Sequence, residues 1–196
     1  VPIERFGMKF MSFGFLNSTN DPAIWRGPMV SKLTHQFFDN VDWGDLDYLI
    51  LDLPPGTGDI QLTLVQKIAL SGAVIITTPQ DLAHNDVQKG SDMFRKVNTP
   101  VLGVIENMSH FRLKGKLKNY TSSQTNQLEL EHYNDRVVYN DDGTFFVDIE
   151  IFKGSSASKE SSRLNIPILG SIPLEPEISL LSDLGKPYVL EKTSSD

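Results

Sequence analysis

The residues best placed to do chemistry lie in one run, Leu49-Ile50-Leu51-Asp52-Leu53-Pro54-Pro55-Gly56-Thr57-Gly58-Asp59. An apolar strand ends there in a carboxylate, and a loop of prolines and glycines follows. Open α/β sheets bind ligands beyond the carboxyl ends of their strands. Asp52 would stand at that edge and hold Mg²⁺, directly or through water. The amides of Gly56, Thr57 and Gly58 could approach a γ-phosphate closely, because the glycines carry no side chain. Such a loop can sense whether the γ-phosphate is present. The same positions also serve plain structural ends. Asp52 suits a strand end satisfied by backbone amides, and Asp59 suits a helix N-cap. Asn107 follows another apolar run, and its amide offers a base both a donor and an acceptor, though it also suits a turn. His35, His84, His110 and His132 have no ligand-like spacing, so they form no metal motif.

Positioning these residues needs a sheet. Short apolar runs at Phe10–Leu16, Leu46–Leu53, Gly72–Thr78, Val101–Glu106 and Ile166–Ile172 read as strands. Near-continuous apolar strands imply a parallel sheet covered on both faces. The spacers read as helices. Pro28 opens the first, with Met29, Leu33 and Phe37 at helical spacing. Further helices are expected from Asp59 to about Leu70 with Leu62, Val65 and Ala69 on one face, from about Leu82 to Val97, from Ser155 to Leu164, and from Glu177 to Leu184. Strands alternating with helices make an α/β, doubly wound parallel sheet.

One segment, residues 112–150, breaks the pattern and reads as an insertion within a single domain spanning 1–196. It opens with Lys114, Lys116 and Lys118, expected in a solvated loop. It closes with two strand-like runs, Arg136–Asn140 and Thr144–Ile151, flanking Asp141-Asp142-Gly143, a hairpin signal.

The chain has 196 residues, 39% of them hydrophobic and 22% charged, with a net charge of −7. That charge argues against a general nucleic-acid binder. No apolar stretch approaches the ~20 residues of a membrane helix. There is no cysteine, hence no thiolate metal site in these residues.

The run through Asp52 to Asp59 resembles the Mrp/ApbC-type ATPases, relatives of the MinD and ParA proteins that carry iron–sulfur clusters. The resemblance extends over about three quarters of the chain. It takes in Phe10–Leu16, Ile24–Val30, Val41–Gln66, Thr77–Asp81, Val101–His110 and Ile166–Pro176. It implies a P-loop NTPase-like fold and the cofactors ATP and Mg²⁺. By the same resemblance Asp52 is the Mg²⁺ carboxylate, and Gly56, Thr57, Gly58 and Asp59 form the switch loop. Asn107 would read the adenine edge, with Pro173 and Leu174 lining its face. Trp25 and Arg26 would lie at the nucleotide or the dimer interface.

Two features depart from the family. Its phosphate-binding loop is absent from this sequence, since Gly115-Lys116 and Gly185-Lys186 are followed by Leu117 and Pro187 and not by Ser or Thr. A longer protein is therefore expected, with the first strand, the loop and its helix N-terminal to Val1. The family's C-x-x-C pair, which would share a [4Fe–4S] cluster between two subunits, is replaced by Arg112, Leu113 and Lys114. Plastid-type members also lack that pair and are still linked to cluster delivery. The resemblance thus implies an ATP-hydrolysing carrier or scaffold in iron–sulfur cluster assembly, working as a homodimer on apoprotein clients. It would act in the cytoplasm, or in a mitochondrion or plastid. The alternatives are a MinD- or ParA-like switched ATPase without a cluster, and a non-catalytic interaction protein of the same fold.

Overall fold

The computed structural model describes residues 1–15, 36–53, 59–117 and 137–192. The chain falls into two compact units, residues 1–71 with 92–100, and residues 72–91 with 101–196.

The first unit opens on a hairpin, β1 (Ile3–Arg5) paired antiparallel with β2 (Met8–Phe10). A 3-10 turn follows at Phe13–Phe15, so the strand expected at Phe10–Leu16 lies earlier and is shorter. The Lys9 ammonium donates to the Trp43 carbonyl at 2.6 Å, and the Trp43 indole N–H donates to the Phe37 carbonyl at 2.9 Å. Residues 36–39 are helical. The rest of the helix expected after Pro28 lies outside the described residues. Helix α1 (Asp59–Lys67) buries Gln61 and Val65, one turn apart, while Ala69 is exposed beyond its end.

The run Leu46–Leu53 is not a strand. Tyr48 and Ile50 are 87% and 90% exposed, and no described strand pairs with it. A parallel strand has no hydrogen bonds of its own, so apolar content alone does not make one.

The second unit holds a mixed five-stranded sheet with flanking helices. Its strands are β3 (Ala73–Thr77), β4 (Val101–Lys116), β5 (Val137–Tyr139), β6 (Thr144–Ile149) and β7 (Ile168–Leu174). The amino half of β4 pairs parallel with β3 and β7. Its carboxyl half pairs antiparallel with β6, which in turn pairs with β5. The expected α/β class holds, and the hairpin forms at Asp141-Asp142-Gly143, where Gly143 takes a φ of 81°. The sheet is not wholly parallel, however. β4 runs unbroken into the polar segment, so Lys114 and Lys116 stand on a strand and not in a loop.

Helix α2 (Asp81–Lys96) follows β3, α3 (Ser156–Leu164) precedes β7, and α4 (Pro176–Asp183) and α5 (Tyr188–Lys192) close the chain. Residues Ala73, Ile75 and Thr77 of β3 are buried, whereas Val74 and Ile76 are exposed. The expected burial of both faces therefore gives way to an alternating strand. Ile75 faces Val104 across the β3–β4 register, and Val104 is wholly buried. The core on this face continues into Ala157 of α3, 2% exposed.

Beneath it lies a buried polar hub. The Glu160 carboxylate, with no exposed surface, accepts from the Ser91 hydroxyl and from Arg163 Nε and Nη2 at 2.8 and 2.7 Å. Burial pushes the Glu160 pKa up, but these hydrogen bonds outweigh it and hold the group below its ordinary value. A buried charge is tolerated only when paired in this way.

Candidate functional site

The site sits where β3 and the amino half of β4 end. Thr77 lies opposite Glu106 in the parallel register, and Asn107 is the next residue of β4. Thr77 and Asn107, together with Ile76, Thr78, Ala83, Asp86 and Val87, line a cleft of about 280 Å³. It opens at the carboxyl edge of the parallel strands, the ligand-binding edge of open α/β sheets. Its volume lies just under the ~300–1,000 Å³ usual for small-molecule sites.

Asn107 is held by a local device. Its Oδ1 accepts from the Met108 N–H at 2.9 Å, and Met108 takes a left-handed φ of 54°. This leaves the Nδ2 hydrogens as the group Asn107 can offer a base. The kink also breaks the β4–β7 register between Asn107 and Phe111. Across that register Asn107 faces Ile172 and Phe111 faces Leu174, so Pro173 and Leu174 lie alongside the kinked stretch. The kink is tied across to β7, since the Ser109 hydroxyl donates to the Ile172 carbonyl at 3.1 Å.

The turn that follows Thr78 is held in place by contacts with the start of α3. Gly154, with φ +148°, brings the chain so close to Pro79 that a Cβ would stand 2.1 Å from the Pro79 carbonyl oxygen. Ser156 N–H donates to that same oxygen at 3.2 Å, and the Thr77 and Ser156 hydroxyls lie 2.8 Å apart in a buried hydrogen bond. Asp81 accepts from the Lys159 ammonium at 2.7 Å and from the Ser155 amide at 3.4 Å. The Lys159 hydrogen bond, seconded by the amide, holds the Asp81 carboxyl below its ordinary value.

Of the residues expected from the sequence, Asn107 lines the cleft, whereas Pro173 and Leu174 follow its register partner Ile172 on β7 and are not among the cleft walls. Asp52 belongs to the first unit, exposed at the end of the unpaired run, and Asp59 is the first residue of α1. Gly56, Thr57 and Gly58, like Trp25 and Arg26, lie outside the described residues. The cleft walls Thr77, Thr78, Ala83, Asp86 and Val87 carry no motif of their own in the sequence. The signal for them was present in Thr77-Thr78-Pro79-Gln80-Asp81, a strand end passing into a helix start.

The profile of the ParA family, described as "NUBPL iron-transfer P-loop NTPase", matches residues 1–138. The chain belongs to this family. Relatives in it include an iron–sulfur cluster carrier protein of Aquifex aeolicus, 40% identical over 100% of this chain and 46% of its own length. The iron–sulfur cluster transfer protein NUBPL of Mus musculus is also 40% identical, over 100% of this chain and 52% of its own. The chain thus spans about half the length of the curated relatives it matches. Among solved structures, a nucleotide-binding protein of Archaeoglobus fulgidus in complex with ADP superposes with a TM-score of 0.64 at 31% identity. That match covers 94% of this chain and 60% of the other. The family fold agrees with the mixed sheet and its flanking helices.

In the cleft, Asn107 offers the hydrogens of its Nδ2. Asp52 offers one exposed carboxylate, the ligand a water-bridged Mg²⁺ needs. A [4Fe–4S] cluster does not fit, because the chain has no cysteine. Among the described residues no three His, Asp or Glu groups are placed to hold a metal ion.

Proposed function

We propose that this chain is the base-binding and switch part of an ATP-driven carrier in iron–sulfur cluster assembly, with the cluster as cargo. The observation that carries the reading is the Asn107 cleft. A fixed amide stands at the carboxyl edge of the parallel strands, with Pro173 and Leu174 on the neighbouring strand β7, in a chain 40% identical throughout to named cluster carriers. In this reading Asn107 orients the base and Pro173 and Leu174 cover its face. Asp52 orients the water shell of Mg²⁺. The amides of Gly56, Thr57 and Gly58, with Asp59 at the head of α1, report on the γ-phosphate. Mg²⁺ would supply charge neutralisation to the phosphates. The carrier would work as a homodimer on apoprotein clients, in the cytoplasm or in an organelle such as the mitochondrion. Among the described residues no helix is long and apolar enough to cross a membrane.

A second reading, a nucleotide-switched ATPase without a cluster, is favoured by one observation, the absence of cysteine. Two measurements on the full-length protein separate these readings. Binding of a fluorescent ATP analogue should weaken in N107A and, when Mg²⁺ is present, in D52N; no binding at all would sink both. Anaerobic reconstitution with iron and sulfide should then give cluster absorbance and ATP-dependent transfer to an apo-ferredoxin. ATP binding without any cluster signal would favour the switched ATPase.

A further inference from the structure

Beyond the kink at Met108, β4 does something the cleft does not need. It continues through Arg112, Leu113, Lys114, Gly115 and Lys116 as one strand of a β4–β6–β5 ribbon. Alternate residues of a strand share a face, about 6.5–7 Å apart. Arg112, Lys114 and Lys116 therefore stand on one face. Opposite them in register are Asp148, Phe146 and Thr144.

Each cation has a different degree of freedom. The Arg112 guanidinium forms a two-pronged hydrogen bond to Asp148, 2.7 Å on each prong, and lies 4.7 Å over the Phe146 ring. Lys114 is exposed. Lys116 has only a loose partner, Asp142 at 3.9 Å, and both of those side chains are at least 60% exposed. The ribbon thus presents two solvated ammonium groups two residues apart beside a cation-stacked aromatic ring, on a chain whose net charge is −7.

We propose that this face docks an extended acidic segment of a partner protein, with carboxylates at alternate positions. The period matches, since the partner's carboxylates would recur at the spacing of Lys114 and Lys116. The sign matches, since the stripe is a local exception on an acidic chain and would steer an acidic partner to itself. The length of the stripe also decides between polyanions. Asp142 and Asp148 bound it, so it suits a few carboxylates, whereas nucleic acid needs a longer basic track. Asn107 and the stripe lie on the same strand, with Lys114 seven residues beyond Asn107. The proposal does not depend on the nucleotide reading.

The test is fluorescence anisotropy with the purified polypeptide and a labelled peptide of alternating Glu and Thr at low ionic strength. K114E/K116E should weaken binding about tenfold, the sum of two modest exposed ion pairs lost and reversed. K96E/K186E makes the same change in net charge elsewhere and should weaken it less than about twofold. K114T/K116T, which keeps strand-favouring side chains, should weaken it by about fivefold and guards against misfolding. Three results would overturn the proposal: no peptide binding by the unaltered chain, equal losses in both Glu pairs, or tighter stripe-dependent binding of an oligothymidylate than of the peptide.

Discussion

The two halves of β4 make an instructive pair. Residues 101–107 lie between β3 and β7 in parallel register, with Gly103 and Val104 buried. Residues 111–116 pair antiparallel with β6 and expose Arg112, Lys114 and Lys116. The Met108 kink divides them. Parallel pairing needs neighbours brought from far along the chain and covered by helices. The antiparallel half pairs with β6 of a local hairpin, β5–β6, and so projects a polar ribbon with its own surface chemistry. One strand thus serves a cleft built by tertiary packing and a face built by local alternation.

The largest expected effect attacks the packing beneath the parallel half. Glu160→Ala leaves Arg163 and Ser91 without their buried partner and should cost about 3–5 kcal/mol in urea unfolding. A loss under about 1 kcal/mol would mean that the hub does not support the sheet. Gly154→Ala comes next. Its Cβ would meet the Pro79 carbonyl at 2.1 Å, so the loop beside Thr78 must shift. Overpacking and backbone strain should cost about 2–3 kcal/mol and weaken ATP-analogue binding as well. Unchanged affinity would detach that loop from the cleft.

Asn107→Ala should weaken nucleotide binding roughly tenfold and leave acidic-peptide binding unchanged, because one hydrogen bond to a base is worth about 1–1.5 kcal/mol. Equal losses of both would erase the division of β4 into two functions.

The smallest expected effect falls on the ribbon. Asp148→Asn should cost less than about 1 kcal/mol, since the pair with Arg112 is partly exposed. Its pH dependence has a fixed sign. The Arg112 hydrogen bond holds the Asp148 carboxyl below its ordinary 3.8. The pair's contribution is therefore complete above that pH and is lost as pH falls through the lower folded value. The variant should lack this acid-dependent loss in a urea titration across that range. It should also free Arg112 and tighten acidic-peptide binding about twofold. Weaker binding would count against the stripe.

Much of this molecule was legible in its residues. The hairpin was visible because Asp141-Asp142-Gly143 supplies turn chemistry that acts locally. The α2, α3 and α4 segments were visible to within a residue or two from cap and period. Asn107 was marked by its place after an apolar run, and the family by Asp52 through Asp59 with Val101 through His110. Other features were hidden because they depend on a neighbour. Leu46–Leu53 has the composition of a strand, but whether it forms one depends on what pairs with it. Lys114 and Lys116 have the composition of a loop, and their strand is decided by β6 across from them. The Glu160 hub joins Ser91 to Arg163 across 72 positions, and Gly154 is required only because Pro79 lies against it. The sequence by itself determined turns, helix limits, charge and family, because these act through local geometry or fixed composition. Only the tertiary structure decided register, burial and the walls of the cleft, because each is a relation between residues distant in the chain.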